Sequence, residues 1–156
     1  MIDQRVRELV PADADPARDL VHATLGSSRH ARRVLEQLEV ALSGADVECV
    51  ALVLAEQDKT PLRAMVLFGP LAGASDVVKL HAIVGVNADA IVSLVNGLML
   101  EPSVRVARML VCEVADDEAC AAAAAALFAC AFAREGRVDD FFADGVSLDL
   151  MVRRGG

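Results

Sequence analysis

The sequence predicts an α+β fold: a single domain with a mixed, mostly antiparallel sheet of about five strands and helices packed on one face, in the order α-β-β-β-α-β-α-β. Three observations predict it. An amphipathic helix over 29–43 leads into short apolar runs joined by hairpin-type links. A second helical stripe follows in Ile91, Leu94, Val95 and Leu98. An alanine-rich helix then has a strand on each side of it. The chain's 156 residues suit one domain with one sizeable core. Residues 1–16 read as an N-terminal extension and linker, and 17–156 as the domain.

Taken in order, Met1–Val10 is a short helix or an extension, and Asp15-Pro16 opens a helix with a capping carboxylate followed by proline at the first helical position. Gly26 interrupts that helix. Ser28 caps the next, whose face is Val34, Leu35, Leu38, Ala41 and Leu42, and Gly44 ends it. Val47–Glu56 is apolar on both faces at its centre, as an interior strand is. The turn 57–61 leads to a strand over Leu62–Phe68, and 69–74 is a loop. The segment 75–86 reads as a β-branched strand, with a helix starting at Ser75 as its competitor. Asn87 caps the helix carrying the second stripe, and Pro102 stops it.

From Ser103 the pattern Val104, Val106, Leu110, Cys112, Val114 has the two-residue period of a strand. Asp116 and Asp117 cap an apolar helix over Ala119–Ala133, closed by Arg134 and Gly136. Residues 137–143 read as a short turn or helix. Val146, Leu148, Leu150 and Val152 alternate with polar neighbours in a last strand.

Composition narrows the function classes. The net charge is −8 and Lys59 and Lys79 are the only lysines, so the surface repels a phosphate backbone and nucleic acid is not an expected partner. The fifteen apolar residues of Ala119–Ala133 fall short of a membrane span, and no membrane partner is expected. Apolar residues make up 55% of the chain, which favours a shared interface. The expectation is a homo-oligomer, a dimer for preference, with Ile91, Leu94, Leu98, Phe128 and Phe132 at the contact and a protein partner also accommodated. Met1–Val10 has no uninterrupted apolar run of a secretory signal. The four cysteines read as reduced thiols within strands and a buried helix, so the expected location is cytoplasmic.

Candidate chemistry is sparse. His81 and Lys79 share one face of their strand, opposite Val78, Leu80, Ala82 and Val84, and Cys112 lies in another strand. A pocket holding His81, Lys79 and Cys112 could pair a thiol with an imidazole. No catalytic signature surrounds them. His22 and His30 sit on an interrupted helix, and no cysteine has a partner at zinc-ligand spacing, so no metal site is expected. Asp139, Asp140 and Asp144 read as a solvated acidic loop. Gly69–Ser75 lacks the lysine of a phosphate-binding loop, and Gly-x-Ser-x-Gly is absent. No cofactor is expected.

The size, the acidity and the helix–three-strand–helix opening are similar to those of the small dimeric cytosolic chaperones of bacterial secretion systems, up to residue 103. The sequence thus favours a non-enzymatic, homo-oligomeric interaction or chaperone-like module. The alternative is a small enzyme or small-molecule binder with its pocket around His81, Lys79 and Cys112.

Overall fold

Among the described residues seven strands form one sheet: β1 (Gln4–Glu8), β2 (Val50–Glu56), β3 (Lys59–Leu71), β4 (Ala74–Gly85), β5 (Met109–Ala115), β6 (Ala133–Ala143) and β7 (Val146–Arg154). The computed structural model describes residues 4–155 apart from 27, 47, 57 and 58. The strand order is β1-β2-β3-β4-β5-β7-β6. Every ladder is antiparallel except β4 with β5, which is parallel. The sheet is therefore mixed and mostly antiparallel, as expected, but it has seven strands where about five were expected. The two additions are β1 and β6.

Helices cover both faces, not one. On one face lie α1 (Ala14–Leu25) and α2 (Arg29–Ser43), over a core that includes Leu20, Leu38, Val53, Met65 and Leu67. On the other lie α3 (Ala88–Leu98) and α5 (Ala121–Ala129), with Leu52, Leu54, Phe68, Leu80, Leu94 and Leu127 beneath them. A sheet apolar on both sides needs both covers, since each buried Leu or Phe contributes roughly 1.5–3 kcal/mol. The one-turn α4 (Pro102–Arg105) links α3 to β5.

Local signals account for most boundaries. The Ser28 hydroxyl accepts from the Ala31 N–H at 3.2 Å, and Gly44 closes α2 in the left-handed region. Asn87 Oδ1 accepts from the Ala90 N–H at 2.8 Å, and Asp117 Oδ1 from the Cys120 N–H at 2.9 Å. The segment 75–86 is strand. The first helix starts at Ala14 with Asp13 as its N-cap, before the expected Asp15-Pro16. Asp13 is buried and takes the Arg7 guanidinium with both oxygens, at 2.6 and 3.0 Å, so residues expected to be extension and linker are tied into the sheet.

Three expectations around the alanine helix are corrected. Pro102 opens α4 instead of merely ending a helix; Val104 is buried there, Val106 is 83% exposed, and β5 begins only at Met109. The apolar helix stops at Ala129, with Ala131 at φ 68°, and Arg134 and Gly136 belong to β6. Residues 137–143 are strand, not turn or helix. Of the expected turn 57–61, residues 57 and 58 lie outside the described residues, and Lys59, Thr60 and Pro61 belong to β3, which runs on to Leu71 through the start of the expected 69–74 loop.

Candidate active site

The parallel ladder between β4 and β5 is short. Val77–Leu80 pair with Met109–Cys112, and there the pairing stops. Both strands continue: β4 runs on to Gly85 with only β3 beside it, and β5 to Ala115 with only β7 beside it. Beyond Leu80 and Cys112 the sheet opens into a wedge whose two facing backbone edges carry no ladder. Unpaired strand edges of this kind hold an extended ligand through its amides. The wedge also lies at the carboxyl ends of parallel strands, where open sheets bind small molecules.

A β-bulge stands at the parting. Leu67 pairs with Ala82 and Phe68 with Leu80, which leaves His81 without an opposite residue. The bulge reverses the facing of the strand: Val78 and Leu80 enter the core under α3 and α5, whereas Ala82 and Val84 enter the core under α1 and α2. The expected single apolar face of Val78, Leu80, Ala82 and Val84 is therefore divided at His81. Bulges re-aim side chains in this way and gather beside active sites.

His81 and Lys79 border a cleft of about 70 Å³ between the wedge and α2. A larger groove of about 660 Å³, lined by the Gly69–Ser75 turn, Asp46 and Glu48, reaches the same two side chains from outside. Burial holds the His81 imidazole below its ordinary pKa, and the Lys79 ammonium adds to the effect, so the ring is a neutral base near pH 7. Glu113, on the open stretch of β5, takes Lys79 Nζ and Arg33 Nη2 at 3.5 Å each, one on each oxygen. His30 Nε2 lies 3.4 Å from Asp117 Oδ2, and its ring meets Phe142 edge-on at 4.3 Å. Gln37 Oε1, also on the cleft, is buried with no partner among the described residues.

Cys112 does not join this group. It pairs with Leu80 in register, lies in the core under α3 and α5, and is 2% exposed. Burial pushes its thiol up to about 12, so it cannot supply a thiolate. Cys120, which does line the cleft, is also pushed up to about 12, by burial and the nearby Asp117. The expected contact residues Ile91, Leu94, Leu98 and Phe132 are buried in the chain's own core and offer no surface; Phe128 is exposed.

Sequence reasoning missed Glu113, Arg33 and His30. Glu113 carried a usable signal, as the only charged side chain in the apolar run Met109–Ala115. Arg33 and His30 carried none, because their meaning depends on α2 lying across the wedge.

No protein-family model matches the chain, and no curated protein matches it in sequence. Solved structures do match. A protein of Desulfovibrio desulfuricans assigned as an acetyltransferase of the GNAT family superposes with a TM-score of 0.79 at 17% identity, over 97% of this chain and 99% of that one. The aminoglycoside 6'-N-acetyltransferase of Enterococcus faecium gives 0.73 at 15% identity, over 96% of each chain. The ribosomal-protein-alanine N-acetyltransferase of Brucella melitensis gives 0.72 at 15%, over 96% of this chain and 99% of that one.

The fold is that of the GNAT acetyltransferases. That finding corrects the expectation of a non-enzymatic, protein-binding or chaperone-like module: the GNAT likeness runs through the strands after residue 103, where the chaperone similarity had already ended. In this GNAT fold the helices that follow the wedge strands both start at its open end: α3 starts three residues after β4, and a 3-10 turn from Glu118 leads into α5 three residues after β5. Both starts are acidic, with Asp89 in the first turn of α3, and Asp116, Asp117 and Glu118 ahead of α5.

Proposed function

We propose that this chain is an acyltransferase that moves a small acyl group from a thioester to an amine. The observation that carries the reading is the bulged parting of β4 from β5 with His81 at its apex, set in a fold whose neighbours are named N-acetyltransferases. The two unpaired strand edges suit an extended, amide-containing thioester arm. The cleft beside them, bordered by His81 and Lys79, would take the acyl group.

The chemistry assigned to the residues follows from their states. As the amine nitrogen bonds to the acyl carbon, the carbon–sulfur bond breaks and the sulfur leaves with its electron pair. The amine gives up a proton, and the neutral His81 imidazole is placed to take it. Backbone N–H groups on the open edge of β4 are donors for the oxygen that gains charge in the transition state. Lys79 and Arg33 hold Glu113 across the cleft, and this fixes the mouth through which the amine enters.

Acyl-coenzyme A is the donor that the fold implies, and its fit divides. The thioester arm suits the wedge. The diphosphate does not suit the start of α3, where Asp89 supplies a negative charge and Asn87 already occupies one of the amides. No step here depends on that end of the donor.

The test is transfer from a short-chain acyl thioester to a panel of amines, following free thiol release. Wild type is expected to release thiol in an amine-dependent manner. His81→Ala is expected to lower kcat by about 10²–10⁴-fold, the usual contribution of a positioned base, with little change in KM. Thiol release that ignores the amine, or a His81→Ala variant as fast as wild type, would overturn the proposal.

A further inference from the structure

Resting on the acyl-transfer reading, we infer that the chain takes its acyl group from a donor recognised by its thioester arm alone, and that Asp89 excludes a diphosphate from the open end of the wedge. Three observations carry this. The first is charge. Beyond the parting of the strands the chain carries no lysine or arginine from Ala82 to Val104 or from Met109 to Ala133, the Lys79 of β4 lying before it. A helix start at the end of a parallel strand ordinarily attracts an anion. Here each start carries carboxylates of its own, Asp89 on α3 and Asp116, Asp117 and Glu118 before α5.

The second is amide occupancy. Asn87 Oδ1 holds the Ala90 N–H at 2.8 Å and Asp117 Oδ1 holds the Cys120 N–H at 2.9 Å, so each helix has filled part of the nest a phosphate would use. The third is the position of the nearby cations. Lys79 and Arg33 are both engaged with Glu113 on the α2 side of the cleft, and Arg137 of β6 is engaged with Asp116, ahead of α5, and with Asp149. Arg63, whose carbonyl accepts from the Val86 N–H ahead of α3, stands on β3 with its Nε sealed from solvent. A diphosphate at the open end would meet the exposed Asp89 carboxylate without a counter-charge from either helix start.

Calorimetric titration with pantetheine and with coenzyme A, each at low salt, tests the inference. The two dissociation constants are expected to agree within about threefold. In Asp89→Lys, coenzyme A is expected to bind about 5–10-fold more tightly while pantetheine is unchanged, the size of effect a reversed charge has at a helix start. Wild type binding coenzyme A about 30-fold or more tightly than pantetheine would overturn the inference and leave acyl transfer standing. Equal affinities that do not respond to Asp89→Lys would remove Asp89 as the excluding charge. If neither compound bound either protein, the acyl-transfer reading would itself fall.

Discussion

His81 owes its state to its neighbours. Burial lowers its pKa most, the Lys79 and Arg33 cations lower it further, and Asp46 and Glu113 oppose them. A lowered imidazole pKa keeps the ring neutral at a pH where an ordinary histidine of pKa 6.5 is half protonated. The acid limb of kcat/KM is therefore expected below pH 6.5. Lys79→Met removes the second-largest cause and strips Glu113 of one partner, and both changes raise the His81 pKa. The acid limb of that variant is expected to move to higher pH, whatever the loss of the Lys79–Glu113 contact does to the height of the plateau. A pH–rate profile of the two proteins checks this, and a limb that stays in place would remove Lys79 from the tuning of the base. The sequence placed His81 and Lys79 on one strand face, which the structure retains. Cys112 was placed in the pocket although its alternation with Leu110 and Val114 already marked it as core, and all three lie buried together under α3 and α5.

At the scale of elements, Gly97 shows two opposed effects of known size. In the last turn of α3 an alanine would be preferred to glycine by at most about 1 kcal/mol on helix propensity. A Cβ there, however, would sit 2.5 Å from Val6 Cγ2 and 2.7 Å from Val6 Cβ. Rotating Val6 does not move its Cβ, so β1 itself would have to retreat. Gly97→Ala is expected to cost about 1–3 kcal/mol net, as overpacking does, read from urea unfolding. The same contact explains why β1 was not legible. Arg5, Arg7 and Glu8 alternate around a half-buried Val6, and five residues with one inward aliphatic give no strand signal alone. β6 was hidden for a related reason: nearly every residue in it is exposed, so no alternation marks it. The helices α2 and α3 were legible because each has a polar cap and an apolar stripe of the right period.

For the whole molecule, the arrangement of layers was harder to read than the elements. The run of β2, apolar on both faces, already marks a strand covered on both sides, but which helix lies on which face is a matter of long-range packing. The GNAT likeness at 17% identity rests on topology and not on shared residues, which is why no motif announced it. What decided the site was the parallel β4–β5 ladder ending after Leu80 and Cys112, a long-range event that no local pattern encodes.

One consequence follows from the way β4 meets β3. Leu80 and Ala82 already face opposite cores, and already pair with the adjacent residues Phe68 and Leu67. Excise His81, and each flanking side chain keeps its present neighbour in an ordinary, uninterrupted strand. Such a deletion is expected to melt no lower than His81→Ala, and to show no transfer activity in the same thiol-release assay. The sheet would thus keep its pairing without His81, a residue for which the architecture alone has no use.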